Sequence, residues 1–420
     1  MNIEWKILMN NFKIPKIRFM NFNDKWKYKI LGEISNSIEY GLNASAKDFD
    51  GIHKYLRITD IDDSSRLFLT DKLSSPDVNF TEEDYENYKL QINDLLFART
   101  GASVGKTYLY RESDGEVYYA GFLIRARLHD SYDGNFVFQQ TLTDKYKQFI
   151  EITSQRSGQP GVNGKEYGDW KIGMTSYPEQ SAIGSLFRTL DDLLASYKDN
   201  LANYHSLKAN MLSKMFPKSG QTVPEIRLDG FEGEWDLIKL GDFCDLITKG
   251  TTGKSQSEQG MINFVKVENL KDNEIYPIVK ISEEEHFGSL KRSILYEGDI
   301  LFSIAGTLGR TAIVKNNILP ANTNQALAII RGYKLDAYFL LVVLSGEVVK
   351  DYIRKNPTVG AQPNLSLEQV SSLKIKIPSL DEQQAIGAYF SNLDNLIVAH
   401  QEKISQLETL KKKLLQDMFI

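Results

Sequence analysis

Apolar residues recur at alternating intervals of three and four along two stretches of the chain. The first runs Phe187, Leu190, Leu194, Tyr197, Leu201, Tyr204, Met211, Met215, and the second Phe390, Leu393, Ile397, His400, Ile404, Leu407, Leu414, Met418. That spacing is the seam of a coiled coil. One position of each stretch breaks it, Lys208 in the first and Lys411 in the second. No Pro or Gly interrupts either run beyond Gly184 and Gly387, and Pro217, followed by Lys218-Ser219-Gly220, stops the first. The pattern predicts two helices of about 35 residues, each roughly 50 Å long at 1.5 Å per residue. Each stripe needs cover from water, so the helices are expected to pair antiparallel, with globular parts at opposite ends. Phe187, Leu190, Leu194, Phe390, Leu393 and Ile397 are the expected pairing residues, and His400 reads as a packed seam residue rather than a ligand.

Ahead of each seam the pattern changes to short apolar runs bounded by turn residues. Residues 55–61, 94–98 and 120–128 read as strands in the first half, and 262–267, 299–304 and 326–331 in the second. Shorter helices are predicted over 337–344 and 346–353. The fold class is therefore α+β, with a mixed unit of about 160 residues before each long helix.

The two halves are copies. Pro15, Ile17, Arg18, Phe22, Trp26 and Gly32 return in register as Pro224, Ile226, Arg227, Phe231, Trp235 and Gly241. Asp94-Leu95-Leu96-Phe97 with Gly101, Gly105, Lys106 and Thr107 matches Asp299-Ile300-Leu301-Phe302 with Gly306, Gly309, Arg310 and Thr311. The clearest block, Glu179-Gln180 … Ile183-Gly184 … Phe187 … Leu190-Asp191, returns as Glu382-Gln383 … Ile386-Gly387 … Phe390 … Leu393-Asp394. Order kept over some two hundred residues marks a tandem duplication. Expected boundaries are 14–176 and 223–378 for the two mixed domains, 177–217 and 379–420 for the helices, and 218–222 for a linker. Between the matched blocks the halves diverge, as in 64–89 against 272–291. One scaffold with unlike loops suits two different recognition surfaces, although drift in loops has the same appearance.

Composition narrows the function. The longest apolar runs are too short to cross a bilayer, and residues 1–13 lack the layout of a secretion signal. A single cysteine, Cys244, excludes an intrachain disulfide and a Cys-rich zinc site, and makes a reducing cytoplasm the expected home. The net charge of −5 argues against an indiscriminate polyanion binder, yet leaves room for a local basic surface. Catalytic signatures are missing. There is no HxxxH or HExxH pair, no Gly-x-Ser-x-Gly, no Asp/Asn-Pro-Pro-Tyr/Phe, and only the weak acid-x-Lys ending of Asp169-Trp170-Lys171.

The glycine loops invite a nucleotide reading and fail it. A phosphate-cradling P-loop needs four residues between its glycines, whereas Gly101 and Gly105 enclose three, and Gly306 and Gly309 two. Two readings stay open for Ser103, Lys106, Thr107, Thr307, Arg310 and Thr311: contacts to DNA phosphates, or a tight turn with a solvated cation. Other candidate DNA contacts are Asn43, Ser45 and Lys47, and Lys249, Thr251, Thr252 and Lys254. Arg99 and Thr100 are placed to reach a base or a phosphate, and Asn324 and Gln325 carry amides of the kind that read adenine.

The duplicated layout, the opening Pro-x-Ile-Arg … Phe … Trp … Leu-Gly and the closing Glu-Gln … Ile-Gly … Phe … Leu-Asp resemble the specificity subunits of type I restriction–modification systems. Asp299-Ile300-Leu301-Phe302-Ser303 and Gln362-Pro363-Asn364-Leu365-Ser366 belong to the same pattern. The first copy departs at Gly161-Val162-Asn163-Gly164, which follows Gln159-Pro160. The resemblance implies a non-catalytic protein in which two target-recognition domains each read half of a split site in double-stranded DNA, while the helices fix the gap. It further implies two methyltransferase subunits bringing S-adenosylmethionine, and restriction subunits using ATP and magnesium, with no cofactor in this chain and no membrane. Two other readings stay open: an orphan or phase-variable specificity subunit serving a methyltransferase alone, and a coiled-coil protein adaptor without DNA readout.

Overall fold

Six strands of one half recur in the other. They are β1 (Ser35–Tyr40), β2 (Lys54–Leu56), β3 (Asp94–Ala98), β4 (Thr107–Leu109), β5 (Val117–Tyr119) and β6 (Leu123–Leu128) in the first half. Their counterparts are β7 (Cys244–Lys249), β8 (Ile262–Val265), β9 (Ile300–Ser303), β10 (Thr311–Ile313), β11 (Ala321–Thr323) and β12 (Leu327–Tyr333). The structure, a computed structural model, describes residues 5–7, 14–156, 158–252, 260–355 and 364–420. In the first half β1, β6, β3 and β4 form an antiparallel sheet in that order, and β7, β12, β9 and β10 repeat it. In each half a second ladder is parallel, β2 with β5 and β8 with β11.

The strand predicted over 55–61 ends early. Asp60 accepts from the backbone N–H and the guanidinium of Arg57, all at 2.9 Å, and so closes a 3-10 turn over Ile58–Asp60 in place of further strand. A helix was not legible at Gly134–Gln140 (α1), where Phe136-Val137-Phe138 favours strand, but its Asp133 cap and the burial of every residue except Asn135 hold it. The seams become helices of 38 residues, α2 (Tyr177–Lys214) and α4 (Leu380–Asp417), with α3 (Ala337–Ser345) between them. The divergent segments differ in kind. Ser74–Pro76 pairs with Ala46–Asp48 in the first half, whereas the second forms a short helix over Glu283–Phe287.

Contacts divide the chain into Met1–Asp199 with Gln401–Ile420, and Asn200–His400. Each unit thus holds one segment of α2 and one of α4, and in each the two run antiparallel. The seam lysines explain themselves here. Lys411 pairs with Asp191 at 2.5 Å in the first unit, and Lys208 pairs with Asp394 in the second. Each lysine is half-buried and answers the Leu-Asp of the other copy, so it locks register where an apolar residue would only fill space. His400 meets Tyr204 edge to face at 5.0 Å, as a packed seam residue.

The repeated motifs are mutual contacts. Arg18 of the opening motif donates to Glu179 of the closing one at 2.5 and 2.7 Å, both side chains fully buried. Arg227 and Glu382 repeat the pair at 2.8 and 2.6 Å. The neighbouring Gln180 and Gln383 each accept from the backbone N–H of a helix-capping aspartate, Asp133 or Asp336. Gly184 and Gly387 let those caps approach, since a Cβ at either would sit 2.3 Å from the carboxylate. Removing one partner leaves a buried charge unanswered. Glu179→Ala is therefore expected to cost about 3–5 kcal/mol, and the joint Arg18→Met/Glu179→Leu change clearly less. Urea titration of the three proteins checks this; equal midpoints for wild type and Glu179→Ala would show that the pair holds nothing.

Candidate nucleic-acid interface

The glycine loops join antiparallel neighbours, β3 to β4 and β9 to β10, rather than a strand to a helix. Gly101, Gly105, Gly306 and Gly309 all have φ between +75° and +84°, which explains why both copies keep two glycines. Both loop cations bond the neighbouring turn, Lys106 buried and Arg310 exposed. Lys106 is buried and donates to the carbonyls of Ile61 at 2.7 Å and Ile58 at 3.4 Å, and pairs with Asp63 at 2.6 Å. Arg310 donates to Val267 and Leu270 O, both at 3.2 Å, which are the counterparts of those carbonyls. Lys and Arg can exchange between copies because each clamps the carbonyl end of the same 3-10 turn. Lys106 is thus a buried fold contact rather than a solvated cation, while Arg310 spends one guanidinium nitrogen on the turn and remains exposed. Thr107 and Thr311 are likewise buried, bonded to Thr141 and Asn273.

What remains accessible gathers at one end of each sheet, where β1 and β3 finish and β6 begins. In the first unit a cavity of about 580 Å³ opens there, lined by Asn43, Arg99, Thr100 and Ser103 among others. Its floor is held by Tyr55, whose hydroxyl donates to the carbonyls of Leu42 and Ala44 at 2.8 and 3.0 Å. Burial pushes that phenol above its ordinary pKa, so it stays a donor throughout the neutral range. Arg57 and Thr59, from the turn after β2, also line it. Ser45 and Lys47 are exposed beside Asp77 rather than in the cavity lining.

At the corresponding end of the second unit, Lys249 closes β7, and Thr251 donates its N–H to Thr323 O. Lys249, Thr252, Thr307 and Gln325 are exposed; Thr251 and Asn324 are half-buried, and Asn324 accepts from the N–H of Ala326. Lys254 lies outside the described residues. Among the described residues, the two copies make the same contacts after the departure at Gly161. Gly161 bridges Thr100 as Asn364 bridges Ala305, and Asn163 and Ser366 each cap the following helix with a capping box.

Sequence reasoning missed Phe122 as a member of the surface, where it joins Tyr40, the residue that opens the candidate loop of Asn43, Ser45 and Lys47. Both are exposed, and the rings of Tyr40 and Phe122 stand 5.1 and 5.8 Å from the Arg99 guanidinium carbon. For Phe122 the signal was present in the comparison of the copies, since it stands next to a matched framework position yet differs from its counterpart. Among the described residues no cluster of His, Cys, Asp and Glu could hold a metal, and no helix is long and apolar enough to cross a membrane.

A family model for the type I restriction modification DNA specificity domain matches residues 232–409. Similar proteins include the type I restriction enzyme MjaVIII specificity subunit of Methanocaldococcus jannaschii, 22% identical and covering 96% of this chain and 94% of its own. The EcoBI specificity subunit of Escherichia coli is 27% identical over 38% of this chain and 35% of its own. In fold, the chain is similar to the type I restriction–modification S subunit from M. genitalium, with a TM-score of 0.66 at 17% identity, over 97% of this chain and 99% of that one.

Proposed function

We propose that the chain is a specificity subunit of a type I restriction–modification system, which reads a two-part DNA site and directs modification and restriction by partner subunits; the matches to such subunits support this reading. The observation that carries this reading is the division within each half. Arg18–Glu179, Gln180–Asp133 and Lys411–Asp191 have counterparts in the second half, whereas the loops at the open end of each sheet do not. A protein that reads two unlike half-sites needs one frame and two faces.

In this reading the exposed loop ends meet double-stranded DNA, and the paired helices carry two methyltransferase subunits. S-adenosylmethionine belongs to those partners, and ATP and magnesium to the restriction subunits of the full cytoplasmic complex. The chain contributes recognition and no bond-breaking chemistry. A local DNA face is compatible with the net charge of −5, because the partners add their own backbone contacts.

Two measurements test this together. Methylome sequencing of a host carrying the chain with its methyltransferase should show one modified motif made of two short blocks around an unspecified gap. The purified chain, incubated with DNA, ATP, magnesium and S-adenosylmethionine, should neither cleave nor methylate. Turnover proportional to this chain alone, or a motif indifferent to its presence, would overturn the proposal.

A further inference from the structure

Three side chains at the open end of the first sheet form a unit that the second half lacks. The matching of positions rests on backbone bonds. Arg99 N donates to Phe122 O at 3.1 Å, as Ile304 N does to Ala326 O at 2.9 Å. Gly41 N donates to Leu123 O and Gly250 N to Leu327 O, both at 3.1 Å, which pairs Tyr40 with Lys249. The frame around them does not change, since a Cβ on Gly41 or Gly250 would lie 2.2 Å from a backbone carbonyl. Tyr40, Arg99 and Phe122 therefore stand where the second half has Lys249, Ile304 and Ala326, and Ile304 is buried.

Arg99 is set apart from its neighbours by what it touches. Arg57 is taken by Asp60, Arg125 by Glu39 and the carbonyl of Asn87, and Arg127 by Asp94. Among the described residues, nothing accepts a hydrogen bond from the Arg99 side chain and no carboxylate pairs with it. It is flanked by rings instead, that of Tyr40 and that of Phe122. Tyr40 is itself held, its hydroxyl accepting from Gly164 N at 3.0 Å. Aromatic faces orient a guanidinium and leave its N–H donors unused. The result is a planar fork, presented at the rim of a cavity with no acidic residue in its lining.

Resting on the DNA-reading function proposed above, we infer that Arg99, oriented by Tyr40 and Phe122, is the guanine-reading residue of the half-site recognised by the first half of the chain. The fork matches O6 and N7 of guanine in the major groove, the base edge that offers two acceptors side by side. A phosphate contact is the competing use of a free arginine, and the duplication decides between them. Backbone contacts are common to both half-sites and call for the same residue in both copies, whereas base contacts must differ. Here the frame is kept and the cation is replaced by a buried isoleucine.

The test uses the full chain in complex with its methyltransferase, on a DNA library randomised at every position of both half-sites. Wild type should demand a G·C pair at one fixed position of one half-site. Arg99→Ala should reduce the preference at that pair by roughly 5- to 150-fold, the span of one bidentate base contact. The other half-site should keep its full preference, which also shows that the variant is folded. Phe122→Ala, at an exposed position, should relax the same base pair less. The inference fails if Arg99→Ala slows modification equally at all sequences, if its preferences match wild type, or if the affected pair is not G·C. Should Arg99→Ala yield no active complex, Phe122→Ala decides: an unchanged profile overturns the assignment. A wild-type complex that selects no split site would instead overturn the parent reading.

Discussion

A protein ending at Pro217 is expected to form a two-fold dimer and to have no stable monomer. In the first unit the core is closed by the end of α4. Phe419 packs on Phe136, Phe187 and Trp26 at 5.4, 5.6 and 6.3 Å between ring centres, and Leu407, Leu414, Met418 and Ile420 are buried in the same cluster. A half-chain lacks all five. At roughly 1.5–3 kcal/mol for each fully buried large apolar side chain, their loss is on the order of 10 kcal/mol. That is comparable with the whole stability of a domain, about 5–15 kcal/mol.

The half-chain carries its own replacement. In the second unit Phe216 packs on Trp235, Phe339 and Phe390 at 5.8, 5.9 and 6.1 Å, with Met211 and Met215 beside it. Those are the counterparts of Phe419, Leu414 and Met418. Two half-chains can therefore exchange helix ends, each closing the other's core, with Lys208 reaching Asp191 in place of Asp394. Such an exchange is isologous, the commonest symmetry of oligomers. Sedimentation should give a dimer, Phe216→Ala should dissociate or unfold it, and with the methyltransferase it should direct modification to a palindromic split site. A well-folded monomer would show that the ends are not interchangeable.

The second large effect concerns the length of the helices. Four helical residues inserted after Tyr197, with four more after His400, fall between the locks Asp191–Lys411 and Lys208–Asp394 in both helices. Each insertion adds roughly 6 Å at 1.5 Å per residue, close to one full turn, so the seam keeps its face. With base pairs about 3.4 Å apart, the gap in the modified motif should lengthen by about one to two pairs while both blocks keep their sequence. Methylome sequencing reads this directly. An unchanged gap would remove the helices from the role of ruler, and altered blocks would show that they take part in base selection.

Much of this molecule was legible before folding, and the reason differs from element to element. The seams of α2 and α4 show in the chain because a helix repeats every 3.6 residues whatever surrounds it. Asp94–Ala98 matches its predicted strand for a similar reason, being short, apolar and bounded by turns. The duplication is visible because both copies keep the same contacts. What those contacts are lies beyond local pattern. Arg18 and Glu179 are 161 residues apart, and no periodicity says that they meet. Lys208 and Lys411 look like faults in the seam until the facing aspartates are seen.

The proposed recognition face was the least legible part, since it depends on which way side chains point. Lys106 and Arg99 lie seven residues apart, both in a glycine-flanked loop, and composition treats them alike. The hairpin sends Lys106 into the carbonyls of Ile58 and Ile61, because a buried turn needs donors there. It leaves Arg99 between two rings at the rim, because Tyr40 arrives from the end of β1 and Phe122 from the turn before β6. The chain alone determined the frame, its two copies and its helices, since those follow from repetition and local spacing. Only the tertiary structure decided which cations face inward and which helix end closes which core, because each depends on partners far away in the sequence.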